Sequence, residues 1–154
     1  MINNSADDLE LVAALEAKFT QLQRVISGGC TFSLSKTTQS RAIATLNVAE
    51  PPTDTIVISL LDSGGKLCSW YNGPIKLAIA ETATNGTAAI SPASTTPNMT
   101  NGVYTVVVSY GYSSTGWANG DAATLTVSDP DTPAGIAGRA ISDATFVMSA
   151  ITGS

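Results

Sequence analysis

The spacing of apolar residues changes at Gly28-Gly29, and that change constrains the fold more than any other feature of the chain. Before it, Val12, Leu15, Phe19, Leu22 and Ile26 recur at intervals of three, four, three and four. This is the a/d repeat that lines one seam of a helix, and Leu11 and Val25 widen the stripe at g positions. Ser5 stands as a cap, Asp8 sits three residues on in the capping-box position, and Asp7, Asp8 and Glu10 place negative charge at the positive end of the helix dipole. Gly28-Gly29 ends the pattern, so a helix is expected from about Ser5 to Ser27. A lone helix of about 20 residues is marginal in water, so its seam needs a cover. Either it folds back on its own chain, or the helices of several copies pair. The strict spacing and the small flanking Ala residues favour pairing. Phe19 at an a position and the apolar g residues favour a trimer over a dimer.

From Cys30 onward the period is two. Arg41 to Val48 alternates Ala42, Ala44, Leu46 and Val48 with Arg41, Ile43, Thr45 and Asn47. Thr55 to Leu61 is a β-branched run, and Ile75, Leu77 and Ile79 alternate with Lys76, Ala78 and Ala80. Val103 to Tyr110 and Ala122 to Ser128 add two more strands. Ser63-Gly64-Gly65, Asn72-Gly73-Pro74, Asn85-Gly86, Asn101-Gly102 and Asn119-Gly120-Asp121 supply turn residues between them. Short strands with a turn every 8 to 12 residues are the pattern of an immunoglobulin-like antiparallel β-sandwich. Ser91 to Asn98 reads as a loop and Ser128 to Gly138 as a linker or crossing. In Arg139 to Ile151, Phe146, Met148 and Ala150 alternate with Val147, Ser149 and Ile151, predicting a C-terminal strand added to an edge of its own sheet or of a neighbour's. The resulting organisation is an N-terminal oligomerising helix over 1–29, a sandwich over 30–128 and a C-terminal extension over 129–154.

Charged residues make up only 12% of the chain, with seven Lys and Arg against twelve Asp and Glu. A net charge of −5 offers no basic footprint for phosphates, which argues against nucleic-acid binding. The first ten residues carry no Lys or Arg before an apolar run, so no secretory leader is expected in this sequence. No apolar stretch approaches the about 18 residues needed to cross a bilayer as a helix. Cys30 and Cys68 lack a CxxC spacing and any His neighbour. Buried thiols are favoured over a disulfide, with both left open.

There is no His in the chain, which removes the commonest general base, the commonest metal ligand and every Ser-His or Cys-His nucleophile. No phosphate-cradling glycine motif is present either, so neither catalysis nor a cofactor is expected. Asp129 and Asp131 in SDPDT, with Asp62 and Asp121 in turns, read as turn-formers rather than as a Ca²⁺ cage, which needs more oxygen ligands. Trp70, Tyr71, Tyr110, Tyr112 and Trp117 read first as packing residues. Tyr112 and Trp117, in a loop at one end of the sandwich, are the candidates for a binding surface. The Asn-x-Ser/Thr triplets are those expected by chance in an Asn- and Thr-rich chain.

Three stretches carry a family likeness. Val57-Ile58-Ser59-Leu60-Leu61-Asp62-Ser63-Gly64-Gly65-Lys66-Leu67 matches a D-x-x-G-x hairpin. Asn101-Gly102-Val103-Tyr104-Thr105-Val106-Val107-Val108 matches a late core strand, and Gly120-Asp121-Ala122-Ala123-Thr124-Leu125-Thr126-Val127 matches its partner. With Asn72-Gly73-Pro74-Ile75-Lys76-Leu77-Ala78-Ile79, the stretch from Pro52 to Ser128 resembles bacterial Ig-like domains of the invasin type and their relatives on phage virion proteins. The resemblance implies a sandwich without catalytic residues, serving as adhesin, spacer or capsid decoration. One such unit behind an oligomerising helix is similar to phage head-decoration (cement) or head-fibre proteins. That likeness implies a homotrimer assembled in a host cytoplasm and held on a major capsid protein at the virion surface, with neither nucleic acid nor membrane as partner. The alternative it leaves open is an Ig-like module that adheres to a cell-surface glycan or receptor.

Overall fold

The computed structural model describes residues 10–16, 29–130 and 141–153. Residues 10–16 are helical (α1). Val12 and Leu15 of the expected seam lie on α1, while Phe19, Leu22 and Ile26 fall outside the described residues.

The remaining elements run β1 (Thr31–Leu34), β2 (Thr38–Ala42), α2 (Ile43–Leu46), β3 (Asp54–Leu61), β4 (Lys76–Glu81), β5 (Gly86–Ser91), β6 (Val103–Tyr112), β7 (Ala122–Ser128) and β8 (Ala144–Ile151). They form two four-stranded sheets in a sandwich-like arrangement, ordered β1-β3-β6-β5 and β2-β8-β7-β4. The molecule is mainly β. All pairings are antiparallel except β2 with β8, which run parallel from Thr38↔Val147 to Ala42↔Ile151. The chain reaches both sheets within one short stretch: β1 pairs with β3 in the first, and after three intervening residues β2 opens in the second.

Alternation along the strands builds the core. Ile56, Ile58 and Leu60 of β3 and Val106, Val108 and Tyr110 of β6 point inward from one sheet. Ala123, Leu125 and Val127 of β7 and Phe146, Met148 and Ala150 of β8 answer from the other. Each large side chain so enclosed contributes about 1.5–3 kcal/mol relative to exposure, before the entropy of ordering it is subtracted.

Two expectations are corrected. The alternation over 41–48 is not one strand, because β2 stops at Ala42 and the chain makes a single helical turn, α2. Thr45 Oγ1 donates to Ala42 O at 2.7 Å and Asn47 N to Ile43 O at 2.9 Å. The turn drops Leu46, fully buried, into the core. Nor is the C-terminal strand at an edge. β8 lies between β2 and β7, bonded on both sides, because Phe146, Met148 and Ala150 are the large apolar residues that the second sheet needs at its centre.

The turn glycines do two different jobs. Gly102 follows Asn101 (φ 52°) at φ +75°, the left-handed pair of a tight hairpin, and a Cβ there would meet Cys68 O at 2.3 Å. Gly86 has no such conformation. It opens β5, and a Cβ would strike the Trp117 ring at 2.5 Å, so close packing rather than backbone freedom requires glycine.

Candidate functional site

The aromatic residues that sequence reasoning singled out part company. β6 ends at Tyr112, which is 43% exposed at one end of the sandwich. Trp117 turns back inward and is only 2% exposed, with Nε1 donating to Gly111 O at 2.9 Å. Its backbone is clasped by Asn47: Trp117 N donates to Oδ1 at 2.8 Å and Nδ2 donates to Trp117 O at 3.0 Å. Trp117 packs edge-on against Tyr110, with ring centroids 5.9 Å apart. The two residues therefore do not form one exposed platform. Trp70 and Tyr71 meet edge-on at 6.0 Å, and Tyr71, buried, donates to Pro74 O.

The carboxylates of the turns act locally. Asp62 Oδ1 accepts from the Gly64 and Lys66 amides, both at 2.9 Å, and Asp121 Oδ2 accepts from Ala118 N at 2.7 Å. Asp131 falls outside the described residues. Among the described residues, no three His, Cys, Asp or Glu side chains gather as a metal site would require.

The densest polar constellation is one that sequence reasoning missed. Asp54, at the start of β3, is the buried charged residue of the core, with no exposed surface. Its carboxylate accepts from Tyr110 Oη at 2.6 Å, Arg41 Nη2 at 2.7 Å, Lys36 Nζ at 3.0 Å and Arg41 Nε at 3.1 Å. Arg41 also donates to Thr53 O. Lys36 lies between β1 and β2, Arg41 on β2 and Tyr110 on β6, so one carboxylate ties the sheet-switching segment to both central strands of the first sheet. Burial pushes the Asp54 carboxyl up, but the Arg41, Tyr110 and Lys36 donors outweigh it and hold it below the usual carboxylate range. Burial, with the bond to Asp54, pushes the Tyr110 hydroxyl well above its ordinary value. A carboxylate fixed by four donors and held ionised is poor at carrying protons; what it does is fix strands.

Cys30 and Cys68 are both buried, with Sγ atoms 3.8 Å apart. They are thiols in this structure, and burial pushes Cys68 up to about 12, which suppresses the reactive thiolate.

Three exposed apolar residues cluster on α1: Leu11, Val12 and Leu15 are 60%, 49% and 57% exposed. Val12 and Leu15, the two members of the expected seam that are described, are thus about half exposed among the described residues.

No family model matches the sequence, and no curated protein matches it. Among solved structures, a β-glucuronidase from Parabacteroides merdae is similar over 79% of this chain at 16% identity and a TM-score of 0.45. The matched part is 12% of that enzyme's chain. A likeness of that degree carries no argument about activity.

Proposed function

We propose that the chain is a non-enzymatic structural protein of a phage virion, a capsid decoration or head-fibre protein in which an Ig-like sandwich is displayed from a helix that joins three copies. The observation that carries the reading is the exposure of Leu11, Val12 and Leu15 on α1, beside a sandwich whose own strands fill its core. Apolar residues at a/d and g positions that find no cover among the described residues of their own chain are suited to the equivalent residues of other copies, and the sequence continues the same spacing at Phe19, Leu22 and Ile26. The strand order supports the Ig-like part of the reading. Taking β1, β3, β6 and β5 as A, B, E and D, and β8, β7 and β4 as G, F and C, reproduces the two sheets of a constant-type Ig domain, with β2 as an added strand beside G. The major capsid protein is the partner and the outer face of the particle is the location in this reading.

Mass spectrometry and electron microscopy of purified virions test it. Many copies at lattice symmetry points are expected, and the Phe19→Asp/Leu22→Asp variant should fold yet leave the particle bare. Absence of the chain from the particle, together with binding to a glycan array, would replace it with the adhesion reading, for which exposed Tyr112 speaks.

A further inference from the structure

A sandwich of two open sheets has four edge strands, and three of these are covered, charged or cut short. The β1 edge is bridged by Ser142, which bonds to Phe32 N and Cys30 O, with Thr31↔Ser142 as a parallel bridge. At the β4 edge the Leu77 and Ile75 amides donate to Thr95 O and Pro97 O, and Lys76 and Glu81 add charge. β2 is five residues long, directs Arg41 inward to Asp54 and is cut off by α2. Short length, charge and cover are the devices that keep edges from pairing with other chains.

β5 has neither the charge nor the cover. Its sequence, GTAAIS, holds no charge and no proline. Ser113 N donates to Asn85 O at the mouth of the β5–β6 hairpin, so the alternation of an antiparallel ladder turns the backbone groups of Ala88 and Ile90 away from β6. No hydrogen bond from another described segment reaches them. Beside this edge runs an open, mostly apolar groove lined by Leu77, Ile79, Ala88, Ile90 and Ala93, with Lys76 and Thr95 also in its lining. An added strand would bond to Ala88 and Ile90 while every second side chain entered the groove.

We propose that the occupant of the β5 edge is β5 of a second copy, antiparallel across a twofold axis near Ala89. Charge selects it. The whole chain carries −5, yet the stretch from Thr82 to Gly120, which holds β5, β6 and both flanking loops, contains no Asp, Glu, Lys or Arg. Two copies can pair these strands without setting a charge on one strand against a charge on the other, and the exposed Lys76 is the charged residue that lines the groove beside them. The twofold also matches the strand to itself. Ala88 faces the partner's Ile90, Ile90 faces the partner's Ala88, and Ala89 stands opposite the partner's Ala89. A six-residue edge buries less area than the about 1,200 Å² of stable complexes, so the contact is weak between free molecules and strengthens where copies are held close.

The test uses the full chain in wild-type and Phe19→Asp/Leu22→Asp forms, so that assembly through the helix and pairing through β5 are read separately. In the helix variant, the Ala88 and Ile90 amides should exchange at least tenfold more slowly at millimolar than at micromolar concentration. Ala89→Cys should cross-link to itself under a mild copper–phenanthroline oxidant. Ala88→Pro removes only an outward amide, and Ile90→Lys adds charge at the groove. Each should abolish the concentration-dependent protection and lower self-association at least tenfold, with the circular dichroism spectrum unchanged. Concentration-independent exchange with no Ala89→Cys cross-link would overturn the proposal. So would self-association that survives Ala88→Pro, or protection that appears only when an unrelated partner is added. None of these outcomes depends on whether the chain is found on a virion.

Discussion

Apolar side chains meet opposite fates in the sandwich and in α1. Phe146, Leu125 and Ile56 are wholly enclosed, whereas Leu11 and Leu15 are 60% and 57% exposed. The residue types are alike, and what differs is supply of a partner. Each inward residue of β3 or β7 finds an opposing sheet in the same chain, whereas α1 has no described element covering its stripe. Burial that a chain satisfies by itself fixes its fold; burial left unsatisfied points to assembly.

The sharpest break of the comparison is in the core. Phe146→Ala should destabilise the sandwich by about 3–5 kcal/mol, since a cavity opens between the two sheets where neighbours are already enclosed. Urea unfolding followed by fluorescence of buried Trp117 would measure it. A loss under about 1 kcal/mol would mean that the two sheets close on each other far more loosely than their burial implies.

Next comes the polar tie. Asp54→Ala leaves Tyr110, Arg41 and Lys36 without their common acceptor and should cost about 3 kcal/mol, with β1 and β2 loosened first. The pH dependence follows from the directions of shift. The folded-state pKa of Asp54 is depressed, so its contribution is complete above the unfolded value of about 3.9 and is lost as pH falls through the folded value. That of Tyr110 is raised, so its contribution holds below about pH 10 and is lost as pH rises above it. Asp54→Asn should flatten the acid limb of stability against pH while leaving the core transition in place. An unchanged acid limb in that variant would show that Asp54 does not govern it.

Tyr112, at the end of β6, and Trp117, in the turn that follows, repeat the contrast within six residues. Trp117→Ala, which empties the space behind Gly86 and Tyr110, should cost about 3–5 kcal/mol, and Tyr112→Ser should stay within about 0.5 kcal/mol. Thermal melts of the two variants compare them directly.

The central strands were readable because their alternation is long and their residues β-branched: β3, β6 and β7 are found within a residue or two of where period two places them. β1 and β5 were not. TFSL is too short to show a period, and GTAAIS has one large apolar residue. α2 was misread because a single helical turn can carry the same apolar residues as a short strand, and only the depth of Leu46 decides between them. Asp54 was invisible for a different reason. Its donors come from 18, 13 and 56 residues away, and no local pattern marks an aspartate whose partners are assembled by the fold. The β8 position was half legible: period two marked the strand, but not that β2 would add beyond it and turn an edge into an interior.

The smallest effect on folding should come from α1, and it separates the two regions most cleanly. Leu15→Ser removes an apolar side chain that is already 57% in water, so the sandwich should unfold within about 0.5 kcal/mol of wild type. If copies join through the seam, the same substitution places a hydroxyl at a d position and removes from each copy a Leu whose burial is worth about 1.5–3 kcal/mol, while the entropic cost of association stays the same. Sedimentation at several concentrations should therefore shift toward monomer even though urea unfolding of the sandwich is unmoved. A Leu15→Ser protein that loses sandwich stability while its sedimentation stays that of wild type would place the helix in the core of its own chain. The contrast between the two regions would then vanish, because α1 would be one more element whose burial the chain satisfies by itself.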